Sequence, residues 1–199
     1  MNSWALVPLK ARAAGKQRLA AVLADEARAA LVQQMFTHVL SALRGCSSLA
    51  GIAVVTAEPE VLPPQLLWLS DPASGMNGAV LSALSELSTR QVSHCVVVSA
   101  DLPQLTSADV SALLAVAAER GLALAPDRHG RGTNALALEL PTRFQPQFGL
   151  DSLARHRRQA AELALTSTLV RRPGLEFDVD EPEDLALLRE RGYAASASH

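Results

Sequence analysis

Short, unbroken apolar runs alternate along the chain with longer segments whose apolar positions recur every three or four residues. Trp4–Leu9, Ile52–Thr56, Leu66–Leu69, Cys95–Ser99, Leu122–Pro126 and Asn134–Leu140 read as strands, and Leu169–Arg172 as a further extended piece. Runs that stay apolar without alternating suit strands covered on both faces, as in a parallel sheet. The most β-branched of them, Cys95-Val-Val-Val-Ser99, belongs at the centre. Asp25–Leu43 carries Ala27, Leu31, Phe36, Val39, Leu40 and Leu43 at helical spacing, with an acidic start and Gly45 as its stop. Gly78–Leu87, Ser107–Arg120 (with Ser107 as cap), Asp151–Leu165 and Glu181–Arg191 also read as helices, and Val61–Pro64 as a proline-rich connector. The alternation predicts an α/β fold, a three-layer sandwich around a mostly parallel sheet. Ligands in such a sheet gather at the carboxyl ends of the strands.

With 199 residues, 49% of them hydrophobic, the chain is long enough for one domain, expected over 1–193 with a flexible tail at 194–199. A net charge of −2 argues against a nucleic-acid partner, so any anion site must be local. Cys46 and Cys95 are far apart, form no C-x-x-C and sit in apolar surroundings, as reduced thiols in a cytosolic protein do. No charged leader precedes Trp4 and no apolar run approaches a membrane span, so a cytoplasmic protein without a membrane partner is expected.

Charge becomes informative when its placement is considered. The only two lysines, Lys10 and Lys16, lie six residues apart directly after the first strand, with Arg12 and Arg18 beside them; every other basic residue is arginine. A small-residue loop with compact cations can cradle a polyphosphate. It is neither a Walker loop nor G-x-G-x-x-G, since Gly15 stands alone. Asp101 follows the central strand, where it can ligate Mg²⁺ or cap the turn before Pro103. Asp178 and Asp180, two apart, point the same way in an extended stretch, and a cation between them would relieve their repulsion. Glu181, Glu183 and Asp184 read as a solvated helix start. The loop Ala125-Pro-Asp-Arg-His-Gly-Arg-Gly-Thr-Asn134 can serve an anionic ligand or be a polar hairpin, the latter favoured for His129. Gly149 and Ser152 offer donors at a helix start where Arg155 stands against the dipole, with Arg157 and Arg158 on a solvated face. Asn77, beside Gly78, can read a nucleobase edge or cap its helix.

Together, Val7-Pro-Leu-Lys10, Gly15-Lys-Gln-Arg-Leu19, Met76-Asn-Gly-Ala79, Asp101-Leu-Pro103, Ala125–Asn134, Phe148–His156 and Asp178-Val-Asp-Glu-Pro-Glu-Asp-Leu185 resemble the 2-phospho-L-lactate guanylyltransferase family of coenzyme F420 biosynthesis. The resemblance covers nearly the whole chain and implies a Rossmann-like nucleotidyltransferase fold. It implies Mg²⁺-dependent transfer of GMP from GTP to 2-phospholactate, phosphoenolpyruvate or 3-phosphoglycerate, with release of pyrophosphate. It assigns metal to Asp101, Asp178 and Asp180, with Asp101 and Lys16 catalytic. Lys10, Lys16, Arg18, Asn77 and Gly78 would then bind GTP, and Thr133, Gly149 and Ser152 the acceptor. Glu181 departs from the family, which often has Thr there. A molybdopterin-type nucleotidyltransferase is the competing enzyme, disfavoured by the lack of its glycine-rich loop after strand one; a catalytically silent nucleotide-binding regulator is the competing non-enzyme.

Overall fold

The computed structural model describes residues 2–10, 16–72 and 74–190; Arg12, Gly15, Arg191 and the 194–199 tail lie outside them. Seven strands, β1 (Ser3–Pro8), β2 (Gly51–Thr56), β3 (Leu67–Ser70), β4 (His94–Val98), β5 (Leu122–Pro126), β6 (Thr133–Glu139) and β7 (Ser167–Leu169), form one sheet. Its order is β3-β2-β1-β4-β6-β5-β7. Only β6 runs against its neighbours, so the sheet is mostly parallel.

Helices cover both faces: α1 (Asp25–Arg44), α2 (Gly75–Thr89), α3 (Ser107–Arg120), α4 (Ser152–Glu162), the single turn α5 (Pro173–Glu176) and α6 (Pro182–Glu190). Alternation along the strands divides the core. Ala5, Val7, Val54, Val96 and Val98 face Phe36, Val39 and Leu43 of α1 and Leu113 of α3. Leu6, Val55, Val97 and Leu136 face Leu84 and Leu87 of α2 and Leu153 of α4. Burial on both sides is why the inner strands read as continuous apolar runs, while the edge strands β3 and β7 are partly exposed. A third cluster joins Leu19, Leu31 and Met35 to Phe177, Val179, Leu185 and Leu188.

The chain lays β2 and β3 on one side of β1 and then returns to place β4 on the other. The order therefore reverses at β1 and β4, which opens a crevice at their carboxyl ends. Because β6 is antiparallel, its first residue, Thr133, arrives at that same edge.

Several element ends differ from expectation for local reasons. Thr106, not Ser107, caps α3: its hydroxyl accepts from Asp109 N–H while the Asp109 carboxylate accepts from Thr106 N–H. Helix α2 begins at Gly75, three residues before the expected Gly78. Left-handed Asp151 (φ 52°) and Ala164 (φ 55°) bracket α4 and keep it shorter than Asp151–Leu165. Pro59–Val61 forms a short 3-10 turn that leads into the proline-rich connector, and β7 begins two residues ahead of the expected extended piece. Cys46 and Cys95 are buried free thiols in opposite core layers, and burial pushes Cys95 well above the usual thiol range. Among the described residues no helix is long and apolar enough to cross a membrane.

Candidate active site

The crevice deepens into a cavity of about 630 Å³, walled by Lys10, Lys16 and Arg18 on one side and by Thr133, Gly149 and Ser152 on the other. Asp101, Asp178 and Asp180 also line it. Residues from every part of the chain meet here because the ends of β1 and β4, the start of β6 and the loop before α6 share one edge of the sheet.

Lys16 opens a short 3-10 turn, Gln17–Ala21, in a left-handed conformation (φ 51°, ψ 42°) that is unusual for a residue with a Cβ. Leu19 in that turn is fully buried and anchors it. The Lys16 ammonium donates to Asp101 Oδ2 and, at 2.5 Å, to Asp180 Oδ1. Burial alone would push its pKa down, but the two carboxylates outweigh burial and hold it above the ordinary lysine value. The lysine stays charged. Arg18 lies further out, 3.2 Å from Glu181.

The loop between α5 and α6 is not a strand, yet its residues alternate. Phe177 and Val179 point into the core, while Asp178 and Asp180 line the cavity. Burial and the charges of Asp101 and Asp180 push Asp178 up to about 6, against a hydrogen bond from Asn134 Nδ2 at 3.2 Å. Burial would also raise Asp180, but Lys16 overrides it and holds the carboxyl below its ordinary value. Asp101 Oδ1 is buried without a partner among the described residues. Asp178, which Asp101 and Asp180 both repel, and the spare buried oxygen of Asp101 have the donor chemistry of a hard-cation site that takes its remaining ligands from phosphate and water. Among the described residues no three carboxylate, His or Cys side chains converge as a ligand set on their own; the Lys16 ammonium sits between Asp101 and Asp180.

Asp184 departs from its reading as part of a solvated helix start. It is buried; its Oδ2 accepts from Asp180 N–H and Glu181 N–H, both at 2.8 Å, and its Oδ1 pairs with Arg128. It therefore clamps the carboxylate loop from behind.

On the opposite wall, Asp127 accepts from Arg131 N–H at 2.9 Å and Gly132 N–H at 2.8 Å, which folds the hairpin loop and sets Thr133 at the edge. Gly149 has φ 115°, a conformation that favours glycine, and leads through left-handed Asp151 to Ser152. Arg155 donates back to Leu150 O at 2.5 Å, while Arg157 and Arg158 are exposed as expected. Asn77 and Gly78 stand apart from the cavity lining. Asn77 neither caps its helix nor presents its amide to the cavity: its Oδ1 accepts from Phe148 N–H at 2.7 Å and its Nδ2 donates to Phe148 O at 3.2 Å. The hairpin loop was legible as a candidate, but its Arg131 was not singled out and lines the cavity.

A cationic loop that meets a carboxylate group at the switch point of a mostly parallel sheet suits the handling of a nucleotide's phosphates. The fold has counterparts among solved structures. The chain superposes with a TM-score of 0.81 on a putative nucleotide-diphospho-sugar transferase from Desulfovibrio desulfuricans, at 16% identity over 98% of this chain and 90% of that one. It superposes with a TM-score of 0.60 on a CMP:2-keto-3-deoxy-manno-octonic acid synthetase complexed with CTP, at 12% identity over 96% and 98% of the two chains. Residues 3–197 match the guanylyl transferase CofC-like family, to which the chain belongs. It is 40% identical to the phosphoenolpyruvate guanylyltransferase of Sphaerobacter thermophilus, over 93% of this chain and 91% of that protein. It is 35% identical to the 3-phospho-D-glycerate guanylyltransferase of Phenylobacterium zucineum, over 90% and 86%. This membership makes it a guanylyltransferase.

Proposed function

We propose that the protein transfers GMP from GTP to the phosphate of a three-carbon acid in coenzyme F420 biosynthesis, with phosphoenolpyruvate first among the candidate acceptors and 2-phospholactate and 3-phosphoglycerate beside it. The observation that carries this reading is the pair of unlike half-sites facing one carboxylate group in one cavity. Lys10, Lys16 and Arg18 provide the charge that meets a triphosphate. Thr133, Gly149 and Ser152 provide neutral donors for a small anion.

An oxygen of the acceptor's phosphate attacks the α-phosphorus of GTP. The new P–O bond forms as the bond to the bridging oxygen of the β-phosphate breaks, and pyrophosphate leaves. The attacking oxygen is already anionic, so no general base is needed. The barrier lies in bringing two anions together in line. Asp101, Asp178 and Asp180 would hold Mg²⁺, which would neutralise phosphate charge there. Lys16 supplies a fixed positive charge at the same place.

The test is pyrophosphate release by the purified protein with GTP, Mg²⁺ and each of the three acids in turn, with ATP and CTP as controls. Release with GTP and one of the acids, abolished by chelation, is the expected result. Release with another nucleotide in place of GTP, or with none of the acids, would overturn the proposal.

A further inference from the structure

His156 lies in α4, fully buried, with the rings of Phe144 and Phe148 at 5.6 and 5.4 Å from its own. The transfer chemistry above makes no use of it. Its two nitrogens have different neighbours. Gln147 N–H donates to Nε2 at 2.7 Å, and a backbone amide nitrogen cannot accept in return. Nε2 therefore carries no proton, and the ring is the neutral Nδ1–H tautomer. Its Nδ1–H then donates to Thr133 Oγ1, 3.0 Å away. With the hydroxyl oxygen engaged as an acceptor from that side, the Thr133 proton is directed elsewhere. Among the described residues it has no acceptor, and Thr133 stands in the cavity wall beside Ser152.

We propose that His156 is a positioning residue: by donating from Nδ1 to Thr133, it fixes the threonine hydroxyl as a hydrogen-bond donor toward the anionic acceptor. This rests on the acceptor half-site proposed above. A hydroxyl free to rotate would spend part of its time presenting a lone pair to an anion, which repels it. Held by the imidazole, it presents the proton. Burial, and after it the Arg155 guanidinium, push the imidazole pKa down to about 4, so the ring stays neutral around pH 7 and Nε2 remains open to Gln147. Through that second bond the same ring holds the backbone two residues ahead of Gly149.

Two substitutions separate the ring's two bonds. His156→Gln can keep an acceptor near the Nε2 position while losing the donor to Thr133. His156→Asn can place an amide N–H₂ near Nδ1 while losing the acceptor for Gln147. Steady-state kinetics with GTP, Mg²⁺ and phosphoenolpyruvate are measured for both, for Thr133→Val and for the double variant Thr133→Val/His156→Gln. The expected result is a rise of about ten- to a hundredfold in the KM for phosphoenolpyruvate in His156→Gln, with the KM for GTP unchanged and partial recovery in His156→Asn. In the double variant the loss should be no larger than in Thr133→Val alone. Multiplying losses in the double variant, or an equal loss toward GTP, would show that His156 merely fills the core and would overturn the proposal. Long-range ¹H–¹⁵N NMR of the wild-type imidazole reads the tautomer without any variant or substrate. An Nε2–H ring or an imidazolium at neutral pH would overturn the proposal even if the variants failed to fold. Wild-type protein inactive on all three acids would refute the acceptor reading alone, and the tautomer would still decide the orientation.

Discussion

Asp178→Asn should make the metal-free protein more stable while impairing its activity. Burial, then the charges of Asp101 and Asp180, push the Asp178 carboxyl from 3.8 up to about 6. A shift of roughly two units corresponds to about 3 kcal/mol against the ionised form. The group is half-buried, and screening leaves about 1–2 kcal/mol of this. The sign follows from linkage: a carboxyl that binds its proton more tightly in the folded state gives full stability below about pH 4 and loses it as pH rises through about 6. Asparagine keeps an oxygen for the Asn134 Nδ2–H bond and removes the charge. At pH 8, in a chelator, the variant should therefore melt about 2–8 °C above wild type, taking roughly 2–4 °C per kcal/mol for a chain of this size. Near pH 4 most of the difference should vanish. Added Mg²⁺ should raise the melting temperature of wild type and not of the variant. Scanning calorimetry at the two pH values decides the matter. A variant that melts lower at pH 8, or by the same margin at both, would show that the three carboxylates do not strain one another.

Asp101→Asn should fold and lose about a hundredfold or more in kcat/KM, measured by pyrophosphate release at limiting Mg²⁺, because several kcal/mol of charge stabilisation pass through that carboxylate. Lys16→Ala should weaken GTP binding by calorimetric titration, and Lys16→Arg should recover only part of it, since a planar fork replaces a point charge; unchanged affinity would make the lysine a purely structural partner of Asp101 and Asp180. Ser152→Ala should raise the acceptor's KM about tenfold and leave that of GTP alone, and the reverse pattern would exchange the two half-sites.

The strands were legible because burial on both faces writes itself as unbroken apolar sequence, and α3 was found from end to end because its periodicity is strong. Its cap was missed because the reciprocal partner is Asp109, where the familiar box has Glu or Gln. The left-handed backbone at Lys16 and Asp151 left no such trace, since neither residue is glycine. The bonds from Lys16 to Asp101 and Asp180 span 85 and 164 residues, a distance over which periodicity carries no information. Asp184 was misread because the helix dipole already explains an acid at that position. His156 had a signal that went unused: it shares a helical face with Leu153 and Ala160, and a polar ring on a buried face needs partners for both nitrogens.

The small apolar cluster beneath the cavity ties together parts that differ in chemistry. Leu19 comes from the turn that carries Lys16, Phe177 and Val179 from the loop that carries Asp178 and Asp180, and Met35 and Leu188 from the two helices between which they settle. The cationic and acidic arms thus share one foundation, and any shift in that foundation displaces both together. Opposite charges held on separate supports would be free to drift apart. Seated on a common one, the Lys16 ammonium and the Asp180 carboxylate stay paired, and their spacing becomes a property of the fold and not of the loops. Divergence among relatives could then reshape the far wall, where the hairpin and the start of α4 stand on other parts of the core, without retuning the distance that the nucleotide chemistry depends on.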